Sequence, residues 1–518
     1  MIIINSGDYV NIELRNEVGT IPPCFLPLAN KKLLYYQIEN LRKYFNEQIV
    51  VSLPQNYDLS LEEKSLFKKL SITPIFVPEG IQLGSALLFV LNTIDIYDKS
   101  VIRLLHGDTL LLSFPEEQDV IGLANPIEDY ISWEKEHSTV WCGYFSFSSL
   151  RCLIRNLAIM QGNFVDSVRS YNSEHKLKLT YCSDWFDFGH VNTYFKSRAL
   201  TTTQRNFNVL KITDGIVWKS GENRDKIRAE WTWYKNIPPC LKRYTPQLIN
   251  IGDKEDEVFY ELEYLPYLPL NELFVHCKKS DSFWKNILTL IKKFMDVSRA
   301  FLSEERRSSD IYNKILSDSR YLYVNKTYER INIYKNETNI NLDGVNVYTG
   351  TVLPSINQIV DECIENVIRQ PTFPCIMHGD LCFSNILYDS RLNIIKLIDP
   401  RGLIANQSIT IYGDQKYDLA KLCHSFIGLY DFIIADSFEI IESEDIGIEL
   451  LFGCKNQINN LQKIFLDTEI IDGFDNVDSI PLVILLFLSM LPLHADKPLR
   501  QKAMFANALR LYRDFMYK

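Results

Sequence analysis

His378, Gly379 and Asp380, then Asn385 five positions after that aspartate, then Asp399 at the end of an apolar run, form a set able to do phosphoryl chemistry. Moving a nucleotide's terminal phosphoryl group to a hydroxyl needs a carboxylate to orient the attacking oxygen. It also needs an amide oxygen and a second carboxylate to hold magnesium on the phosphates. An H-x-D-x-x-x-x-N loop followed by a strand ending in Asp supplies all three. The flanks agree: Cys375, Ile376 and Met377 lead in as an apolar strand, and Ile394, Ile395, Leu397 and Ile398 form the strand before Asp399.

Such a loop needs a group that grips the nucleotide from the other side. Phe207 to Ile212 and Gly215 to Trp218 are short strand-like runs joined by Thr213-Asp214-Gly215, a tight-turn signal that predicts a hairpin. Lys219 follows directly, and a predicted helix over Asp225 to Tyr234 carries Glu230. A strand lysine paired with a glutamate on the next helix fixes the α and β phosphates in kinase folds. Glu222 is the competing partner on the same stretch. No G-x-G-x-x-G is present, so covering the phosphates falls to the Thr213 to Gly215 turn. Glu263, Tyr264 and Leu265 are expected to connect two lobes, where backbone groups would pair with adenine. Beyond them, Ser282 to Phe301 and Ser355 to Gln370 have helical periodicity. The tyrosine-rich span Glu304 to Asn346 between them is too long for a plain loop.

Residues 205 to 518 resemble the aminoglycoside phosphotransferase and choline kinase family, most specifically at H-G-D-x-x-x-x-N and at the Ile398-Asp399 pair. The segment YGDQKYDLAKLCHSF is similar to the stretch after the metal aspartate in that family. The resemblance implies that Asp380 orients the acceptor hydroxyl, Asn385 and Asp399 bind Mg2+, and Lys219, Glu230, Glu263 and Leu265 serve ATP. It gives Asp418 the role of stiffening the loop and His378 a supporting one. Where many relatives carry an aromatic and an acidic residue, this chain has Pro400-Arg401-Gly402, which makes Arg401 a candidate contact for an anionic substrate or a phosphate.

The first 200 residues alternate strand and helix. Met1 to Ile4, Ile49 to Leu53, Pro74 to Val77 and Val101 to Leu105 read as strands, with helices over Lys31 to Phe45, Ser60 to Leu70 and Ser85 to Thr93 between them. That order predicts an α/β domain with a mostly parallel sheet, whose sites lie at the carboxyl ends of the strands. Four stretches resemble the sugar-nucleotide pyrophosphorylase family of nucleotidyltransferases: PPCFLPLANKKLL, LGSALLFVLN, HGDTLL and DWFDFGHVNTY. By that similarity Asp108 and Asp187 would hold a divalent metal, with Lys31 near the phosphates. The family's glycine-rich phosphate loop is absent, since its place reads NSGDYVNIELRNEVGT, and Pro23 stands where relatives have a lysine. Arg15 is the candidate substitute.

A chain of 518 residues with apolar content of 46% and mixed charge summing to −10 calls for two or three folded domains and gives no electrostatic reason for a nucleic-acid partner. Eleven cysteines without a C-x-x-C pair indicate free thiols. The N-terminus lacks the features of a secretory signal, and the apolar run Pro481 to Leu493 reads as a buried helix too short to span a bilayer. The whole predicts a cytoplasmic enzyme without membrane insertion: a nucleotidyltransferase-like domain (1–200), a kinase small lobe (201–274) and a large helical lobe (275–518), the last two forming an α+β two-lobed, protein-kinase-like unit. Its substrate would be a small molecule, phosphorylated at the expense of ATP. A second nucleoside triphosphate would serve if the N-terminal half also turns over, and the resemblance to bacterial capsular-biosynthesis proteins implies precursor synthesis. Two other readings stay open, a kinase with a non-catalytic binding domain and a regulatory or scaffolding protein with neither activity. Nothing in the sequence assigns an oligomeric state.

Overall fold

Apolar runs without alternation open the chain: Ile2–Asn5 and Ile49–Pro54 are buried at every position. A strand apolar on both faces must be covered on both, which is the setting of a parallel sheet between helices. In the computed structural model these strands lie side by side, parallel, within an eight-stranded sheet. The structure describes residues 1–94, 101–128, 131, 133–203, 210–253, 257–302, 308–404, 408–453 and 455–517. By contacts the chain divides into two units, Met1–Thr202 with His276–Lys278, and Thr203–Val275 with Lys279–Lys518.

In the first unit the sheet runs Lys178–Tyr181, Val120–Ala124, Thr139–Phe147, Ile102–His106, Ile2–Asn5, Ile49–Pro54, Thr73–Val77, with the short eighth strand Lys135–Glu136 paired to Thr139–Phe147 off this path. Only Thr139–Phe147 is antiparallel to its two long neighbours, so the sheet is mixed but mostly parallel. Helix starts follow local chemistry: Ser60 and Glu63 form a capping box on Leu61–Lys69, each side chain bonding the other's backbone N–H. The strand Ile102–His106 ends at the His106-Gly107-Asp108 turn. Gln37 secures that turn, its amide donating to the carbonyls of His106, Gly107 and Thr109 at 3.2, 3.1 and 2.7 Å. Where a phosphate loop was missing from the sequence, Ile12–Val18 forms a helix capped by Asn11, with Leu14 and Val18 buried.

The second unit begins with a four-stranded antiparallel sheet in the order Leu210–Thr213, Ile216–Ser220, Val258–Glu263, Leu248–Asp253. Asp214 and Gly215, at φ 51° and 76°, make the predicted hairpin turn with both central residues left-handed; the Phe207 start of the first strand lies outside the described residues. Helix Arg224–Asn236 follows. The rest is mainly helical: Trp284 of Asp281–Ala300 stacks on Phe383 in the loop that carries Asp380, Gln415–Phe426 bonds that loop through Asp418, and Ile356–Arg369 packs against Ile480–Met490. The tyrosine-rich span, apart from its Glu304 start outside the described residues, is two helices, Ser309–Arg320 and Lys326–Thr338, joined by a π-turn at Tyr321–Asn325. The expectation of a helical lobe is corrected in one respect. Asn346–Tyr348, Thr351–Leu353, Phe438–Ser443 and Gly447–Phe452 build a further four-stranded sheet within it. A second correction concerns the apolar run: Asn476–His494 is long and apolar enough to cross a membrane, and 67% of it is buried inside the protein. Its helix Ile480–Met490 packs against Lys326–Thr338, Ile356–Arg369 and Pro498–Phe515.

The two elements of the unit that bring charge together meet at Gly402. This residue has φ 59°, and a Cβ added there would stand 2.2 Å from the Ala229 carbonyl oxygen on helix Arg224–Asn236. Gly402→Ala is therefore expected to destabilise the unit by roughly 2 kcal/mol or more, read as a lowered midpoint in urea unfolding followed by tryptophan fluorescence.

Candidate functional site

Lys219 lies on strand Ile216–Ser220 opposite Tyr260 and is buried. Its ammonium is 2.9 Å from Glu230 Oε2 and 2.9 Å from Asp399 Oδ1. Glu230 is held from its helix by burial and by the Tyr260 hydroxyl, which donates to the same Oε2 at 2.7 Å. The partner of Lys219 is thus Glu230 and not Glu222. Burial alone would lower the lysine's pKa, but Asp399 and Glu230 outweigh it and hold the pKa above its ordinary value. Asp399 sits at φ 55°, an uncommon conformation for a non-glycine residue, with its N–H donating to the Tyr234 hydroxyl at 3.1 Å and its side chain 45% exposed. One oxygen faces Lys219; the other has no protein partner among the described residues.

The loop from His378 to Asn385 is fixed from beneath. Asp418, on helix Gln415–Phe426, accepts from the N–H groups of His378 at 2.9 Å and Gly379 at 2.7 Å. Burial pushes the Asp418 carboxyl up to about 7, against those two donors. The His378 ring is buried, which lowers its pKa to about 4; the neutral ring donates from Nε2 to the Ile398 carbonyl at 3.0 Å and accepts the Asp380 N–H at Nδ1. The Asn385 amide donates to both the carbonyl and Oδ2 of Asp380 at 2.9 Å, and its backbone carbonyl takes the Ile398 N–H at 3.0 Å. Asp380 Oδ1 is 2.9 Å from Lys421 Nζ. Burial would raise the Asp380 pKa, but Lys421, with smaller help from His378 and Arg401, holds it at about 2.

The structure therefore brings together Lys219, Glu230 and Asp399 by direct contact, and Asp380 with Asn385, with the backbone of Asn385 and Ile398 linking the two sets. Tyr264 donates its N–H to Gly215 at 2.8 Å, so the hairpin turn sits at the connector end of its strand. That is about 13 Å of strand away from Lys219. The turn is therefore not beside the lysine, which corrects the expectation that it covers phosphates there. Glu263 spends its N–H on the Gln247 carbonyl at 3.0 Å and its carboxylate on the Gln247 N–H at 3.3 Å, which narrows any base contact to its carbonyl. The Leu265 N–H has no protein partner among the described residues. Two functional-looking residues escaped the sequence reading: Lys421 and Tyr417. Lys421 lies three residues after Asp418, on the same face of one helix, a spacing that could have flagged it.

In the first unit Asp108 and Asp187 converge beside Gly189. A Cβ at Gly189 would stand 2.5 Å from Asp108 Oδ2 and 3.4 Å from Asp187 Oδ1. Antiparallel pairing of Trp185–Asp187 with Thr109–Leu111 sets this register. Thr193 and His190 both bond Asp187 Oδ2. Burial, then the charge of Asp187, raise the Asp108 carboxyl to about 6. The cations expected nearby are engaged elsewhere: Arg15 Nε donates to the Val10 carbonyl at 2.7 Å, and Lys31 Nζ lies 3.5 Å from the centre of the Tyr35 ring. No group of three or more His, Cys, Asp or Glu side chains that could hold a metal occurs among the described residues.

A raised carboxylate pKa means the folded chain binds more protons than the unfolded one between about 4 and 6, so this pair's contribution to stability falls as pH rises through 6. Asp108→Asn should accordingly raise stability at pH 7.5 by on the order of 1 kcal/mol, allowing for the group's partial exposure, and by roughly a third of that at pH 4.5. Urea titrations at the two pH values measure this.

No protein-family model matches the sequence, and no curated protein matches it. Among solved structures, the chain is similar to a nucleoside-diphosphate-sugar pyrophosphorylase from Vibrio cholerae at 13% identity and a TM-score of 0.31, over 38% of this chain and 99% of that one. It is similar also to the inositol-1-phosphate CTP transferase of T. maritima at 13% identity and a TM-score of 0.29, over 38% and 94%. A third likeness is to a UTP-bound UGPase from Acinetobacter baumannii, at 10% identity and a TM-score of 0.29, over 40% and 94%.

Proposed function

We propose that the C-terminal unit is an ATP-dependent small-molecule kinase that phosphorylates a hydroxyl of a sugar, polyol or related metabolite, and that the N-terminal unit binds a nucleotide or sugar phosphate through a divalent cation. The observation that carries the kinase reading is the Lys219 ammonium held at 2.9 Å from both Glu230 and Asp399. Buried charge of this kind is costly to assemble, and here it points one cation at the carboxylate expected to face nucleotide phosphates.

Each residue then has one task. Lys219, fixed by Glu230, would bind the α and β phosphates, and the free Leu265 N–H and the Glu263 carbonyl would meet adenine. Asn385 has its amide nitrogen committed to Asp380, which turns its oxygen away from that aspartate. That oxygen and the unpaired oxygen of Asp399 are hard donors of the kind Mg2+ takes. Bound there, the ion would neutralise charge on the phosphates. Asp380, a carboxylate down to about pH 2, is a weak base and a good hydrogen-bond acceptor. It would orient the acceptor hydroxyl toward the phosphoryl group and take its proton only late, as bond formation lags bond breaking in a loose transition state. Lys421 steadies that carboxylate. Phosphorylating a hydroxyl makes the kind of substrate a nucleotidyltransferase activates, which supports a shared task in sugar-donor synthesis for surface polysaccharide.

A second reading of the N-terminal unit is favoured by one observation. Arg15 and Lys31 are turned onto local partners, so the Asp108–Asp187 pair has a metal-binding character without a cationic cradle for a triphosphate. A binding domain for the phosphorylated product is the function this suits.

With the full chain, Mg2+, ATP and a panel of hydroxyl acceptors read by mass spectrometry, Asp380→Ala should lower phosphoryl transfer at least about 100-fold while keeping the thermal stabilisation by Mg-ATP. Asp399→Asn should lose both. Transfer undiminished in Asp380→Ala would overturn the mechanism.

A further inference from the structure

Around Asp380 and the neighbouring Tyr417, four cations gather with little to neutralise them. Lys421 is bonded to Asp380. Arg401 lies with its aliphatic stem against Gly379, where an added Cβ would be 2.7 Å from Arg401 Cβ, and its guanidinium donates to the Tyr417 hydroxyl at 2.7 Å. Lys326 is the first residue of helix Lys326–Thr338, directly after the π-turn, and acts electrostatically on Tyr417, Arg401 and Lys421. Arg330, one turn further along, adds its charge to the same group. The π-turn is tied down by Tyr323, whose ring stacks on Tyr417 at 6.3 Å and whose hydroxyl donates to Asp414 at 3.0 Å. π-turns of this kind recur at functional sites.

Protein acids do not balance this charge. Lys326, Arg330 and Arg401 pair with no carboxylate among the described residues. Glu329 is exposed and accepts the Tyr321 hydroxyl, and Asp414 is engaged by Lys416 and Tyr323. Among the described residues Asp380 is the one carboxylate bonded into the group, which leaves an excess of three positive charges around Tyr417, next to the aspartate that would hold the acceptor hydroxyl. Burial holds Lys326 down to about 8, the state of a cation lacking an anion. A neutral or cationic acceptor would leave that repulsion in place, whereas an anionic one relieves it.

We infer that the acceptor carries an anionic group, a phosphate or a carboxylate, held by Lys326, Arg330 and Arg401 while its hydroxyl rests on Asp380. The inference rests on the kinase reading for the hydroxyl's role, but the anion site itself can be tested without turnover. Calorimetry on the full chain, saturated with Mg2+ and a non-hydrolysable ATP analogue to fill the Lys219 side, would be run with inorganic phosphate and with acetate as probes and glycerol as the neutral control. Saturable binding of phosphate or acetate, weakened at least tenfold in Lys326→Met and in Arg330→Gln with affinity for the ATP analogue within twofold of the parent, is the expected result; the tighter probe names the class. Anion affinity unchanged in both variants, or no anion binding at all, overturns the inference. So does a parallel loss of analogue affinity, which would assign the cations to the nucleotide's own phosphates. If the parent binds the anion through Lys326 yet never binds the analogue, the kinase reading fails and the anion site stands.

Discussion

The Lys219 ammonium, buried between Glu230 and Asp399, sets the terms for the C-terminal unit. Removing an ammonium and two carboxylates from water costs several kcal/mol per ion unless the geometry returns it. The return here depends on three separate stretches of chain: a strand that brings the lysine in, a helix that brings Glu230, and a loop more than 150 residues later that brings Asp399 in a left-handed conformation. The Tyr260 and Tyr234 hydroxyls complete the arrangement, one donating to Glu230 and one accepting from the Asp399 backbone. Removing any one of the three charges would strand the others, so the sheet, the helix and the loop are energetically coupled through a single nitrogen.

From that point the polarity of the site reverses. On the Lys219 side acids outnumber the base, which suits the Mg2+ site proposed there. On the Asp380 side bases outnumber the acid. A site with both halves can take nucleotide phosphates with their ion on one side and present a negatively charged acceptor from the other, with Asp380 at the boundary. The low pKa of Asp380 and the neutral state of His378 follow from the same division, one from nearby cations and the other from burial beneath the loop.

How much of this could be read in advance depended on distance along the chain. The loop from His378 to Asn385 was legible because its chemistry-bearing side chains are compressed into eight residues at a defined spacing. Lys219 was legible because Asp214-Gly215 almost dictates a hairpin, and the lysine follows it. The tyrosine-rich span was expected to be more than a plain loop, but not to carry the π-turn that precedes Lys326, since one extra residue in a turn leaves no periodic trace. The small sheet around Tyr348 and Leu450 escaped notice because its strands are short and pair across about 100 residues. The hairpin turn was assigned to the phosphates because sequence order shows that it precedes Lys219 but not which end of the sheet it occupies.

The N-terminal unit poses the opposite problem, a pair of carboxylates that has His190 beside it and, among the described residues, no lysine or arginine paired to it. Gly189 lets Asp108 and Asp187 come near a common point, since any side chain there would occupy it. The protein then tolerates the mutual repulsion, shared out by Thr193 and His190 on Asp187 and by a proton on Asp108 as the pH falls toward 6. Such strain is stable only if the rest of the domain fixes it, and Gln37 with its three carbonyl contacts under the His106-Gly107-Asp108 turn does so. A divalent cation between the two carboxylates would relieve the repulsion directly. A triphosphate would bring several more negative charges to a pair whose expected counter-charges, Arg15 and Lys31, are held by the Val10 carbonyl and the Tyr35 ring, so the ligand that best fits this pair is one whose charge a single cation can offset.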